Sequence, residues 1–388
     1  MLIKRLTLKK LLSFNDSTVE LGPLNVLIGP NAVGKSNLIE VISLLQAAPS
    51  SLTGGLNLGG SISQWIWLGD RGHPRTASID CELVLADDRR QANPLLYHLE
   101  FSNGDPGFVI LNESLARSRP VGHAFSDIFF QRNVTGADFP YLSPPNTDTN
   151  IAQTESVLSQ FKSPVDSTPI TEVGRQFSQI RIFREFRTGP GSRVRWGIST
   201  SLPKDWLADG GDNLAMVLHE LDVLGVRERI KDYLRRFCER FEDVKISIGD
   251  GLARTILRET GLVEMLSAIR MSDGTLKFLA LLAALFHPKP PPLMCIEEPE
   301  VGLHPDAIQL VAEALVEASE SMQLIVTTHS EALVDALSDR PEAVLVCERD
   351  FDNGTQFKRL SKEHLREWLQ DYSLGQLWRK GEIGGGRW

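Results

Sequence analysis

The 388-residue sequence predicts an α/β fold of the P-loop NTPase class, with parallel strands covered by helices. One observation is the order of an apolar run, a glycine-rich loop and a helical pattern over residues 24–47. Another is the alternation of strand and helix patterns from residue 293 to residue 348. A third is the antiparallel strand pattern over residues 76–102. We therefore expect a mixed sheet with an antiparallel part, a helical lobe and no long coiled coil.

The first element of the nucleotide-binding pattern is the apolar strand 24–28, followed by Gly29-x4-Gly34-Lys35-Ser36 and a helix. In such a loop, backbone N–H groups surround phosphate oxygens, Lys35 reaches the β- and γ-phosphates, and Ser36 ligates Mg²⁺. An ordinary glycine turn is the alternative, and the position of the motif between a strand and an amphipathic helix argues against it. The predicted nucleotide-binding residues are Gly29, Pro30, Asn31, Ala32, Val33, Gly34, Lys35, Ser36 and Asn37.

The composition along the chain suggests three parts. Residues 1–102 form the first part of the nucleotide-binding fold. Residues 103–180 are predicted to form an irregular lid or insertion, because residues 116–172 are rich in Pro, Ser, Thr, Asn and Asp and show little periodicity. Residues 181–388 form the second part, with helical patterns over 211–241, strands around 244–270 and a helix from about 275 to 286.

An acidic pair ends the apolar strand LMCIEE, where Glu297 and Glu298 precede Pro299. Ligands of open α/β sheets bind outside the carboxyl ends of the strands, so this is a position for chemistry. One acid can hold Mg²⁺ and the next can polarise the attacking water as a general base. The alternative is a solvated acidic turn after an edge strand.

Two further polar segments lie at the end of a predicted strand or at the start of a predicted helix. His329 ends the strand LIVTTHS, 31 residues after Glu298, which suits a contact with the γ-phosphate or the attacking water. A lone histidine after a strand is more often structural. Ser272 and Gly274 precede a helix, where they either bind an anion or simply cap the helix.

This order of motifs resembles the ATP-binding-cassette ATPases of the SMC/RecF-like branch. Within it, the chain looks similar to the OLD-type and AAA_21-like stand-alone "predicted ATPase" groups of bacteria. The segments that carry the resemblance are LGPLNVLIGPNAVGKSNLIE, MSDGTLKFLALLAAL, IEEPEVGLHP, VTTHS and the closing LREWLQDYSLGQLWRKGEIGGGRW. The resemblance implies an ABC/SMC-like ATPase head that uses ATP and Mg²⁺.

The resemblance also implies roles. Residues 29–37 match the Walker A loop and residues 301–305 the D-loop. Glu297 takes the Walker B position, Glu298 that of the catalytic glutamate and His329 that of the switch histidine. Lys35, Glu298 and His329 are thus the catalytic candidates.

The signature motif would contain Ser272 and Gly274 and would cap the γ-phosphate held by the other subunit of an ATP-dependent homodimer. The metal candidates are Ser36, Glu297 and, as the Q-loop residue, Gln64. The chain departs from the pattern in its signature, which reads Met-Ser-Asp-Gly-Thr. It also has Leu12 where many SMC heads carry a basic residue.

Residues 175–195 hold six arginines interleaved with Phe177, Phe183 and Phe186. They form either a basic groove with aromatics for stacking on nucleic acid, or a strand with a solvated basic face and a buried aromatic face. The favoured interpretation is the second. The segment CERDFDNG suggests a Toprim nuclease cluster only superficially, because about 35 residues follow it.

Composition limits the function classes. The net charge of −9 excludes a globally basic nucleic-acid binder. The four cysteines lie far apart and predict buried free thiols rather than a disulfide framework or a zinc site. We expect a cytoplasmic protein without a signal peptide or membrane segment.

The leading hypothesis is therefore an ATPase that dimerises on ATP and regulates a separately encoded effector protein such as a nuclease, in bacterial defence or genome maintenance. The alternative is a RecF-type repair ATPase that binds nucleic acid directly. A small-molecule kinase or GTPase ranks lowest, since no base-reading Asn-Lys-x-Asp motif occurs.

Overall fold

The computed structural model describes residues 3–58, 62–69, 76–85, 94–104, 107–117, 127–141, 146–148, 151–162 and 168–385. The strands in these residues are β1 Ile3–Leu11, β2 Phe14–Glu20, β3 Leu24–Ile28, β4 Thr76–Leu83, β5 Leu95–Gly104, β6 Gly107–Arg117, β7 Asp127–Asn133, β8 Gly136–Phe139, β9 Asn146–Asp148, β10 Arg181–Phe183, β11 Ile198–Ser199, β12 Phe241–Gly249, β13 Leu252–Glu259, β14 Leu266–Ser267, β15 Leu293–Glu297, β16 Gln323–Thr327, β17 Val344–Asp350 and β18 Gly354–Arg359.

The α-helices are α1 Lys35–Ala47, α2 Leu52–Leu58, α3 Ile62–Trp65, α4 Val157–Gln160, α5 Pro169–Ser178, α6 Arg193–Trp196, α7 Leu214–Val223, α8 Arg227–Phe237, α9 Asp273–Leu285, α10 Pro305–Ala318, α11 Glu331–Asp335, α12 Lys362–Leu365, α13 Trp368–Asp371 and α14 Leu374–Lys380. Within the described ranges the longest helix, α10, has 14 residues. None of the described helices is long and apolar enough to cross a membrane.

The chain divides into two compact units. Unit 1 comprises Met1–Ile180, Leu345–Leu360 and Ile383–Trp388, and unit 2 comprises Arg181–Val344 and Ser361–Glu382. In unit 1 the strands neighbour each other in the order β3-β17-β18-β2-β1-β4-β5-β6-β7-β8-β9. The pairs from β1 to β9 are antiparallel. Strict alternation of buried and half-buried residues along β4 explains this arrangement, because one face packs against the core and the other faces water.

The structure differs from the expected irregular insertion over residues 103–180. In its described residues this segment contains the end of β5, all of β6, β7, β8 and β9, and helices α4 and α5. Strands β7, β8 and β9 span seven, four and three residues, so their alternation is too brief to be recognised in the sequence. They are stabilised by adding to the edge of an existing antiparallel sheet rather than by their own pattern.

A buried charged cluster ties this added region together. The Glu113 carboxylate accepts hydrogen bonds from the Tyr97 hydroxyl at 2.9 Å, the Ser156 hydroxyl at 2.5 Å and the Val157 N–H at 2.9 Å, and Arg132 lies 3.5 Å away. Burial raises the pKa of Glu113 despite these bonds. The cluster therefore connects β5, β6 and β7 to the start of α4.

Unit 2 contains the second predicted pattern. Strands β10, β15 and β16 are parallel neighbours, and in register Glu297 of β15 lies beside Thr327 of β16. A separate small sheet has the order β11-β13-β12, with β14 beside β13. Helix α9 is buried along nearly its whole length and contacts α7, α8 and α10. These elements agree with the predicted alternation of parallel strands and helices.

The four cysteines are free, as expected. Cys81, Cys295 and Cys347 are buried, and Cys238 is half-buried. Burial raises the pKa of the Cys347 thiol to about 12, so this thiol stays protonated at neutral pH.

Candidate functional site

The glycine-rich loop of unit 1 ends directly in helix α1. Lys35, the first residue of α1, is buried, and its Nζ donates to the carbonyl oxygens of Gly29 at 2.8 Å and Pro30 at 3.0 Å. The ammonium is therefore held across the loop by the loop's own backbone. Ser36 and Asn37 follow in the first turn of α1, where backbone N–H groups lack partners within the helix and favour anions.

Neighbouring side chains leave no room for a Cβ at position 34, so this residue must be glycine. Gly34 has φ of 109°, and a Cβ there would lie 2.3 Å from the Thr355 Oγ1 and 2.4 Å from the Ser13 Oγ. The Thr355 hydroxyl itself donates to the Val33 carbonyl at 2.5 Å. Thr355 of the β17–β18 hairpin and Ser13 of the β1–β2 turn thus lie directly beside the loop at Gly34.

The first acid of the pair is paired with an arginine in unit 2. Glu297 ends β15, and Arg184 follows β10, the parallel neighbour of β15. The Arg184 Nη1 donates to the Glu297 Oε1 at 2.9 Å, and the Glu297 side chain is only 17% exposed. Because parallel strands end at the same edge of a sheet, residues following two neighbouring strands meet there.

The second acid, Glu298, has an unusual backbone. Its φ is 45°, a left-handed value that costs free energy in a residue with a Cβ, and its N–H donates to the Thr327 carbonyl at 2.9 Å. Its side chain is 46% exposed, and the Glu298 Oε1 lies 3.8 Å from the His329 Nε2. The strained turn therefore directs a solvent-accessible carboxylate toward the histidine that follows β16.

A cavity of about 270 Å³ opens beside both acids. The Lys277 Nζ donates to the Val301 carbonyl at 2.5 Å, and burial lowers the pKa of Lys277. The cavity therefore combines carboxylates with two cationic side chains, a composition suited to charged oxygen ligands. Its lining residues are Phe183, Arg184, Glu185, Phe186, Lys277, Glu297, Glu298, Pro299 and Val301.

Glu300 connects the acidic turn to the histidine segment. Its Oε1 accepts a hydrogen bond from the Thr328 hydroxyl at 2.6 Å and another from the His329 N–H at 3.0 Å. The residue is 8% exposed, and its Oε2 has no hydrogen-bond partner among the described residues. Burial raises the pKa of the Glu300 carboxyl. Glu300 thus fixes the backbone that carries His329.

We expect Glu300→Ala to lower the free energy of unfolding by about 1–3 kcal/mol, because two buried donors lose their acceptor. Glu300→Gln keeps an Oε1 acceptor for both donors and should lose less. Urea denaturation of both variants measures this, with the exposed Glu320→Ala as a control expected to stay within about 0.5 kcal/mol of the parent. Equal stability of Glu300→Ala and the parent protein would contradict the role of Glu300.

The predicted signature residues lie at the start of α9. Ser272 is the N-cap, and its hydroxyl accepts a hydrogen bond from the Thr275 N–H at 3.0 Å. A Cβ added to Gly274 would lie 3.0 Å from the Gly302 carbonyl oxygen, so the helix start and the segment after the acids pack closely. The capping role exists in the structure, and the anion-binding role stays a prediction.

The remaining metal candidate, Gln64, is exposed on the short helix α3 of unit 1. Its assignment as the Q-loop residue stays a prediction. The structure instead identifies Arg184 as a side chain in contact with Glu297, a residue that the sequence interpretation grouped only with other arginines. No local pattern indicated its role, because the three-residue strand β10 before it is too short to be recognised in the sequence.

The arginine-rich segment does not present its aromatics to solvent. Phe177, Phe183 and Phe186 are buried, so no base can stack on them. Arg195 is also buried, and Arg175 pairs with Glu172 on the same helix. The buried aromatic face of the favoured interpretation is confirmed, but the single strand with a solvated basic face is wrong. Residues 175–195 contain the end of α5, the three-residue β10 and the start of α6, and Arg195 lies in the core.

Comparisons with known proteins support these assignments at the level of family and fold. The family model AAA_21, described as "AAA domain, putative AbiEii toxin, Type IV TA system", matches residues 24–135 and 203–335. The Old nuclease of Escherichia phage P2 is 24% identical over 385 residues, covering 92% of this chain and 60% of the relative. The chain therefore spans about 60% of the length of that relative.

Two solved structures are similar in fold. One is an Smc head bound to the C-terminal winged-helix domain of ScpA, with a TM-score of 0.57, 13% identity, and coverage of 93% of this chain and 99% of that chain. The other is the Smc head of Pyrococcus furiosus with an extended coiled coil bound to the C-terminal domain of ScpA, with a TM-score of 0.55, 13% identity, and coverage of 95% and 98%. This likeness confirms the predicted fold class. Because the AAA_21 model matches more than half of its residues, the chain belongs to the AAA_21 family, and it is an ATPase with the fold of an SMC head.

Proposed function

We propose that this ATPase binds Mg-ATP, dimerises around two nucleotides, hydrolyses ATP with Glu298 as the general base, and uses its ATP state to control a partner effector protein. The observation that carries the proposal is the approach of Glu298 and His329, 3.8 Å apart, at the ends of the neighbouring parallel strands β15 and β16. A half-exposed carboxylate beside a histidine is suited to orient and deprotonate a water molecule.

The residues present fit a magnesium ion. Mg²⁺ in nucleotide sites is bound by one or two oxygen ligands from the protein together with substrate phosphates. In unit 2 the Glu297 carboxylate is a ligand of this kind. In unit 1 the Ser36 hydroxyl is another, and Gln64 offers an amide oxygen. When bound, the ion would neutralise phosphate charge during transfer. The Arg184 guanidinium donates a hydrogen bond to the Glu297 carboxylate at 2.9 Å and so holds it at the edge of the sheet.

The phosphate-binding role falls to the loop of unit 1. Lys35 would exchange a backbone carbonyl for a phosphate oxygen, while Gly34 keeps the loop free of a Cβ. His329 would contact the γ-phosphate or the attacking water. Glu300 holds the His329 backbone in place through a 3.0 Å hydrogen bond, so this contact would be preorganised.

Control of an effector is supported by three findings about other proteins. The family description names a putative toxin of a toxin–antitoxin system, the curated relative is a nuclease, and the similar Smc heads are bound to domains of ScpA. We infer that the ATP state of this chain regulates a protein partner, of which a nuclease is the leading class. A role in defence or genome maintenance follows from these likenesses.

The test is to purify Glu298→Gln from its native cells with ATP and to identify what co-purifies by mass spectrometry and nucleic-acid staining. Lys35→Ala, treated identically, is the matched control, because it should not hold ATP. We expect a stoichiometric protein partner with Glu298→Gln that is absent with Lys35→Ala. Nucleic acid without a protein partner would contradict effector control and favour the repair ATPase.

A further inference from the structure

Arg195 is a buried arginine that donates hydrogen bonds to backbone carbonyls of two segments. It lies in α6 and is 8% exposed. Its Nε donates to the Thr188 carbonyl at 2.6 Å, and its Nη1 donates to the carbonyls of Ala268 at 3.1 Å, Ile269 at 3.3 Å and Met271 at 2.7 Å. A single guanidinium therefore holds the backbone of residues 268–271 in one conformation.

The same guanidinium also reaches the first residue of α9. The Arg195 Nη2 donates to the Asp273 Oδ1, and Asp273 follows the N-cap Ser272. Hydrogen bonds from a charged donor in a buried position are stronger than neutral ones. Two of these acceptors, on Met271 and Asp273, belong to the segment 271–275, which resembles a signature motif.

Among the side-chain hydrogen bonds described for residues 268–275, those of Arg195 reach the largest number of backbone carbonyls. The Ser272 hydroxyl caps α9 through the Thr275 N–H, and α6 contacts the short 3-10 helix of residues 268–270. Without the guanidinium, three buried carbonyls and the partly buried carbonyl of Ile269 would lose a donor, and the loop would be expected to leave its present conformation. The position of Ser272 and Gly274 thus depends on Arg195.

We propose that Arg195 is the positioning residue of the signature segment and that it acts on the nucleotide bound by a second copy of this chain. This inference rests on the proposed ATP-dependent dimer, in which the signature of one subunit caps the γ-phosphate held by the other. Arg195 is buried against backbone carbonyls and Asp273, so we expect it not to touch the nucleotide itself. It sets the geometry of the residues that do, and so its loss affects the partner's ATP rather than its own.

The variants for the test are Arg195→Met, Arg195→Lys and, as a matched control, Arg193→Met on the exposed side of the same helix. We expect Arg195→Met to bind ATP with unchanged affinity, because its own phosphate loop is intact. Its ATP-dependent dimerisation and its hydrolysis rate should each fall by at least about tenfold. Arg195→Lys keeps the charge and should recover part of the loss, and Arg193→Met should behave like the parent protein.

The decisive measurement is a mixing experiment with Lys35→Ala. Each variant is expected to be inactive by itself, but a mixed dimer has one site with an intact phosphate loop and an intact opposing signature. An equal mixture should therefore recover about a quarter of the parental ATPase rate, since half of the dimers are mixed and each has one working site. A merely destabilised Arg195→Met protein would supply no intact phosphate loop, and the mixture would stay inactive.

The outcomes separate this inference from the function on which it rests. Parental hydrolysis by Arg195→Met, or no recovery on mixing while that variant still binds ATP, would overturn the role of Arg195. If the parent protein neither hydrolyses ATP nor dimerises with it, the proposed function fails instead. Recovery in the mixture would support both the positioning role and its action across the dimer.

Discussion

Glu298→Gln should bind ATP normally and hydrolyse it at least on the order of a hundredfold more slowly than the parent protein, as expected when a general base is removed. Glutamine has the shape of glutamate but cannot accept a proton from water. The left-handed backbone at this position and the bond from its N–H to the Thr327 carbonyl are unaffected by the change. The comparison therefore isolates the carboxylate.

Single-turnover hydrolysis and equilibrium ATP binding, measured on the same preparation, test this prediction. Glu320→Gln, an exposed position of the same residue type, is the control and should hydrolyse ATP at the parental rate. Turnover of Glu298→Gln within a few-fold of the parent would refute its assignment as the base. In that case His329, 3.8 Å away, would become the first residue to mutate.

Lys35→Ala should lose nucleotide binding. The ammonium is buried at the start of α1 and bridges the carbonyls of Gly29 and Pro30, so its removal takes away both a phosphate ligand and an internal support of the loop. Truncating one partner of a buried, hydrogen-bonded charge pair costs about 2–5 kcal/mol of binding free energy. Isothermal titration with ATP measures this loss.

Two controls distinguish lost binding from lost folding. In the absence of nucleotide, Lys35→Ala should still unfold cooperatively, at a somewhat lower melting temperature because two carbonyls lose their donor, and it should lack the increase that ATP causes in the parent. Lys358→Ala, an exposed lysine on β18, should keep that increase. An unchanged ATP affinity in Lys35→Ala would contradict the assignment of residues 29–37 as the phosphate site.

Local elements of this protein follow from short-range patterns. Leu24–Ile28 and Gln323–Thr327 are buried at every position, and both are continuous apolar or near-apolar runs in the sequence. The glycine-rich loop, the acidic pair and the helix start at Ser272 each lie where a strand or a helix begins or ends. Such features depend on neighbours along the chain, so the sequence shows them directly.

The short strands β7, β8 and β9 were not recognisable in this way. They span seven, four and three residues, too few for a period to emerge, and they are ordered by the edge of the sheet to which they add. The same applies to β10, whose three residues precede Arg184. A chain segment of this length takes its conformation from its partner strand.

The sequence thus contained the family, the order of the motifs and the residues that end each central strand, because these depend on composition and spacing. The side-chain contacts between these residues depended on the tertiary fold. Arg184 reaches Glu297 across 113 positions, Arg195 reaches Asp273 across 78, and Thr355 reaches Val33 across 322. Strand register and loop packing bring such pairs together, and no local pattern records which side chains will meet.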